Sequence, residues 1–196
     1  MIFKTQDPKN EHNNTYQLTD ANDRTFLGVT IPKYYYGVNF DANYKQFDLS
    51  VFLQGSGGNK VFNGVYAALM TGQDGNQHKD ELNFWTTSNT NTKIPRPIMG
   101  DPNGNGRFSD RFVQDGSYLK LQNMQIGWSL PASTGLISKH YMSRLRIYIA
   151  GENLVTFSKY KGYDPDFISD GLINRGYDYG SFPNARTFMF GVQAGF

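Results

Sequence analysis

The chain has no cysteine, which removes disulfide frameworks and thiolate metal sites and by itself assigns no compartment. It contains no run approaching the ~20 apolar residues that a membrane helix needs. That excludes a helical span and leaves strands open, because a barrel strand needs only every second residue apolar. Charge of either sign is scarce and scattered: 19 Lys and Arg against 17 Asp and Glu leave +2, with no basic block, so nucleic acid has no electrostatic footprint to meet. The three histidines, His12, His78 and His140, are far apart, and no metal or other cofactor is expected. The first residues, MIFKTQDPKNEHNN, have no apolar h-region and no small-residue cleavage site, so they do not read as a signal peptide.

What is abundant points one way. Aromatic residues make up 15% of the chain and are accompanied by 21 glycines, while total hydrophobic content is 38%. Soluble cores of this size lean on Leu, Ile and Val; aromatic and glycine richness with many Asn suits short strands, polar loops and interfacial rings. An all-β chain is expected.

Five segments alternate with period two. Over residues 33–44, Tyr34, Tyr36, Val38, Phe40, Ala42 and Tyr44 oppose a polar set containing Asn39, Asp41 and Asn43, an odd lining for a packed core and a natural one for a hydrated lumen. After a tight Tyr44-Lys45-Gln46 connection, residues 46–56 place Phe47, Leu49, Val51 and Leu53 on one face, which reads as a hairpin. Residues 117–130 oppose Met124, Ile126, Trp128 and Leu130 to Asn123, Gln125, Gly127 and Ser129, with Pro131 as terminator. Residues 144–154 and 186–196 complete the set, the last with Phe188, Phe190, Val192, Ala194 and Phe196 on one side.

The connections alternate between short ones of about 3 and 12 residues and long ones of about 60 and 30, unusual for a compact soluble domain. Short turns on one side and long loops on the other fit an outer-membrane barrel with its C-terminus in the periplasm. Five strands would leave two open edges in lipid, each orphan backbone group costing several kcal/mol, so partner strands are expected upstream. Residues 1–32 are taken as outer loop and lead-in, and 33–196 as barrel wall with its loops.

Other motifs resolve to plainer features. Asp101-Pro102-Asn103-Gly104-Asn105-Gly106 resembles the start of a calcium loop, but position twelve is Phe112 where a bidentate Glu is needed, and a Gly/Asn turn is expected. Gln54-Gly55-Ser56-Gly57-Gly58-Asn59 lacks the Gly-Lys-Ser/Thr ending of a phosphate loop, and Ser56 is outside any Gly-x-Ser-x-Gly context. No catalytic constellation emerges, and an enzyme is not expected. Residues 61–72 could form a short helix weakened by Gly64. Tyr160, Tyr163, Tyr177 and Tyr179, with Asp164, Asp166 and Asp178, crowd the last long loop; they could contact a ligand, meet a partner, or fold the loop itself. Tyr34, Tyr36 and Trp128 read as interfacial girdle or lipid-facing residues.

Four ordered stretches, residues 31–59, 115–131, 145–166 and 176–196, resemble the SusC/RagA branch of TonB-dependent outer-membrane transporters. The resemblance implies a barrel of about 22 strands around a plug, an import activity energised through a TonB-type partner, a SusD-like surface lipoprotein capping the outside, and a glycan or peptide ligand. It also implies that the terminal strand, through Phe188, Phe190, Val192, Ala194 and Phe196, signals to the barrel-assembly machinery. The alternative carried beside it is a soluble secreted β-sandwich that binds carbohydrate.

Overall fold

A computed structural model describes residues 25–71, 75–131, 133–138, 142–167 and 175–196, so residues 1–24 of the expected lead-in, and His12 and His140, lie outside the described residues. In chain order the elements are β1 (Tyr34–Tyr44), β2 (Phe47–Gly57), β3 (Lys60–Asn63), α1 (Gly64–Leu69), β4 (Val113–Asp115), β5 (Tyr118–Ser129), α2 (Gly135–Ser138), β6 (Arg144–Ser158), β7 (Tyr177–Asp178) and β8 (Thr187–Gly195). The chain divides into two compact units: residues 1–28 with 62–113, and residues 29–61 with 114–196. Three short strands form a small sheet in the order β4-β3-β7.

The second unit is dominated by a five-stranded sheet in the order β1-β2-β5-β6-β8, every pair antiparallel. Each long strand pairs with the next long strand along the chain, so the sheet is a meander. β1 passes into β2 through Lys45 and Gln46, with Lys45 in the left-handed region at φ 54°. At the same end Ser129 donates to the Gln46 carbonyl at 2.8 Å and Ser143 to the Gly195 carbonyl at 2.8 Å. Both short connections and the end of β8 therefore share one end of the sheet, and the long connections leave from the other.

Register lines up side chains of like character across all five strands. One row runs Phe40, Val51, Met124, Gly151, Phe188; the next runs Ala42, Leu49, Ile126, Ile149, Phe190; a third runs Tyr44, Phe47, Trp128, Ile147, Val192. The intervening rows on the opposite face are polar on β1 and β2 and mixed with small or apolar residues farther across: Asn43, Asp48, Gly127, Tyr148, Gly191, then Asp41, Ser50, Gln125, Ala150, Met189.

A bulge changes the pattern expected in two strands. Gln122 on β5 and Asn153-Leu154 on β6 are passed over by the pairing, and Asn153 sits at φ 53°. An extra residue shifts the face on which the following side chains fall. The apolar set on β5 is therefore Leu119 and Leu121 before the bulge, and Met124, Ile126 and Trp128 after it. On β6 the reset register lets Val155–Ser158 pair with Tyr118–Leu121, so this strand runs four residues beyond the expected end at Leu154.

The apolar rows are not buried. Phe40, Phe47, Ile149, Phe188 and Phe190 expose 56%, 54%, 61%, 71% and 70% of their surface. Aromatics close both ends of this face, with Tyr44, Phe47 and Trp128 at the turn end and Tyr34, Tyr36 and Phe157 at the loop end. Gly55 has no room for a side chain, since a Cβ there would run into the Tyr36 ring and the Tyr118 carbonyl, and Tyr36 uses that approach to donate to the Tyr118 carbonyl at 2.9 Å.

The hydrophobic cluster of buried residues belongs to the first unit, where Ala67, Met70 and Phe112 pack with Phe62, Tyr66 and Ile94. The helix expected over 61–72 is α1, six residues long, started by the Asn63 side chain, which accepts from the Tyr66 N–H at 2.8 Å. Asp101 closes the Asn/Gly turn by accepting from the Asn105 and Gly106 N–H groups at 2.7 and 2.8 Å, and no three metal-ligating side chains cluster among the described residues. Burial, aided by the Asp80 carboxylate that accepts its hydroxyl at 3.0 Å, pushes the Tyr66 phenol up to about 12. Burial likewise holds the Glu81 carboxyl above its ordinary range, against the opposing pull of Arg111.

Candidate functional site

The polar face carries two charge clusters, one at each end. At the turn end the Arg146 guanidinium on β6 reaches over Gly127 on β5 to Asp48 on β2, donating from Nε at 2.9 Å, and stretches the other way toward Gln193 on β8 at 3.4 Å. Four strands are thereby bridged by one side chain, which also lies 5.0 Å from the Tyr148 ring. Gly127 makes this possible: a Cβ there would strike both the Asp48 carboxylate and the Arg146 guanidinium. The pair borders an open concavity of about 480 Å³ lined in part by Asp41, Asn43, Asp48, Ser50, Arg144 and Arg146.

At the loop end, Lys120 on β5 lies in the polar row between Gln54 and Thr156 and is 1% exposed. A buried ammonium is costly unless paired. Its partners come from the last long loop: Asp164 at 3.3 Å and Asp166 at 2.9 Å. Asn184 ties the returning limb of that loop to the same point, donating from its backbone N–H and Nδ2 to Asp164 at 3.2 and 3.1 Å and from Nδ2 to the Asp166 carbonyl at 3.2 Å. Tyr160 donates a short hydrogen bond to Asp178, whose other oxygen accepts from Gly180 and Ser181 at 2.8 and 3.1 Å. Burial and the neighbouring carboxylate push the Tyr160 phenol well above its usual value.

The loop residues expected to meet a ligand or partner thus fall into two groups. Tyr160 and Asp164 are buried, and their polar atoms engage residues of this unit, so they build the loop. Tyr163 and Tyr179 are 74% and 70% exposed, and Tyr177 is half-buried and stacks on Tyr179 at 6.0 Å. Phe188, Phe190, Val192 and Ala194 share the apolar face of β8, and Phe196 follows the strand at 93% exposure. Lys120, Arg146 and Asn184 went unnoticed in the sequence. For Lys120 and Arg146 the signal, a lone charge in a polar strand row, gains meaning only once the pairing is known; Asn184, in the loop before β8, carries no comparable signal.

An exposed apolar face on a polar-backed antiparallel meander finds its counterpart in known proteins. Over 180 residues, 89% of the chain, the sequence is 38% identical to TonB-dependent receptor P3 of Formosa agariphila. Over 160 residues, 82% of the chain, it is 27% identical to TonB-dependent receptor SusC of Bacteroides thetaiotaomicron. Its relatives are TonB-dependent receptors, SusC among them. The chain spans 17% and 15% of the lengths of these two receptors. No protein-family model matches. Among solved structures, the RagAB peptide importer in its closed-closed state aligns with a TM-score of 0.77 at 24% identity, covering 93% of this chain and 19% of the other. Its open-open state gives 0.77 at 22%, covering 100% and 20%. At these identities the likeness is one of fold: the meander of this chain has the form of a stretch of the RagAB structure.

Proposed function

We propose that this chain forms part of the wall of an outer-membrane barrel in a TonB-dependent importer. The observation that carries this is the sheet's two-sidedness. Phe40, Ile149, Phe188 and Phe190 are more than half exposed on one face while Asp48, Arg146, Gln125 and Lys120 occupy the other. In water such a continuous apolar surface would be an aggregation hazard; against hydrocarbon it is the low-energy arrangement, with the polar rows lining a hydrated lumen. A soluble carbohydrate-binding sandwich would need a second sheet over the apolar rows, and their exposure argues against it. With the turn end periplasmic, the C-terminus lies there too and the long loops lie outside. There they meet a SusD-like lipoprotein and an oligosaccharide or peptide ligand, with energy supplied through a TonB system. The terminal strand supplies the assembly signal through Phe188, Phe190, Val192, Ala194 and Phe196.

Deletion of Phe196 in the full-length receptor tests this reading. The expected outcome is at least a tenfold loss of heat-modifiable receptor in outer-membrane fractions, with synthesis unchanged. Undiminished heat-modifiable receptor would refute the assembly role, and an intact parent found wholly in the soluble fraction would refute the barrel.

A further inference from the structure

We propose that Lys120 is a positioning residue that latches the Asp164–Asp166 stretch of the last long loop down onto the polar face of the sheet, making that stretch a fixed part of the passage, with Tyr163 held out from it. This rests on reading the polar face as the lumen. Lys120 is buried on that face, and among the described residues its ion pairs are with Asp164 and Asp166 of the loop. The two carboxylates flank Pro165, whose ring limits the backbone, and Asp164 Oδ1 accepts from the Asp166 N–H at 3.0 Å, so the bidentate arm is shaped before it meets the strand. Asn184 brings the returning limb to the same carboxylate, so both limbs hang on one cation.

The charge balance makes the latch one-sided. With Lys120 present, two carboxylates share one ammonium; without it, two negative charges are left facing each other in a half-buried site, which disfavours the docked arrangement. The Tyr160–Asp178 bond joins residues on the outgoing and returning limbs independently of Lys120. The returning limb is also held through β7, which pairs with β3, and the outgoing limb through the Lys161 N–H, which donates to Gln114 at 2.9 Å, so what Lys120 pins to the sheet is the stretch around Asp164 and Asp166, and its release moves the neighbouring Tyr163.

The test uses the full-length receptor with spin labels at Asn39→Cys on β1 and at Tyr163→Cys, an exposed loop position beside the latch. Inter-label distances are read by pulsed electron resonance. The parent and Lys120→Arg are expected to give one narrow distribution. Lys120→Met, and separately Asp164→Asn with Asp166→Asn, are expected to give a second or at least twofold broader one. A distribution in Lys120→Met as narrow as the parent's overturns the latch. So does loss of membrane insertion in Lys120→Met while the double Asn variant inserts with a narrow distribution, since Lys120 would then serve the wall and not the loop. Heat modifiability of the labelled parent is scored separately and reports on the barrel reading alone.

Discussion

Replacing Ile149 with Arg is expected to destabilise the folded receptor in phospholipid vesicles by about 2–4 kcal/mol, the cost of a cation on the lipid side near mid-membrane. Ile149 is 61% exposed on a central strand, in the row shared by Ala42, Leu49, Ile126 and Phe190. Its neighbour across the register is Ile126, and one residue along from that, on the opposite face, is Gln125. A Gln125→Arg change should stay within about 0.5 kcal/mol of the parent, as for an ordinary solvated position. The contrast is what matters. Equal costs at the two positions, read from urea unfolding of the vesicle-inserted protein, would mean that the two faces see the same medium.

The second large effect is expected at Arg146. Its side chain is 8% exposed and its guanidinium spans from Asp48 toward Gln193 across Gly127. Truncation to Ala leaves the Asp48 carboxylate, itself only 28% exposed, without its cation. Breaking a pair at the border of an open concavity costs about 1–3 kcal/mol, the range for hydrogen bonds to charged groups, against less than ~1 kcal/mol for a pair in free solvent. A double-mutant cycle with Asp48→Ala should assign most of that loss to the pair. Gly127→Ala should mimic it in part, because the added methyl displaces both charged groups. A coupling below ~0.5 kcal/mol would place the pair in open water and remove its role as a cross-strand brace.

Much of the sheet was legible in the sequence because the contrast between its two faces is carried residue by residue along each strand. A strand with hydrocarbon on one side and water on the other must alternate, whatever its partners are, and Phe188, Phe190 and Val192 carry that rhythm without reference to any other strand. The inequality of the loops was legible for the same local reason. What escaped depended on pairing. The bulge at Gln122 and Asn153-Leu154 reverses the face of Leu119 and Leu121 relative to Met124, and neither residue type announces it; Asn153 in the left-handed region is only a mild hint. The Asp48–Arg146 brace joins residues 98 positions apart, and Lys120 meets Asp164 across 44. For Tyr160 and Asp164 ligand contact, partner contact and loop folding all stay open in the sequence, because aromatics and carboxylates crowd the whole loop. The structure uses those two internally and leaves Tyr163 and Tyr179 outward, a division that composition cannot make. The Ala67, Met70 and Phe112 cluster likewise joins residues from both ends of a long connection.

The most direct measurement is a nitroxide scan along β8, one label at a time from Thr187 to Gly195 in the membrane-embedded full-length receptor, scored for collision with oxygen and with a water-soluble nickel chelate. Lipid on one face and water on the other predicts that oxygen dominates at 188, 190, 192 and 194 and nickel at 189, 191 and 193. Flat profiles, or nickel dominating at Phe188 and Phe190, would contradict the account.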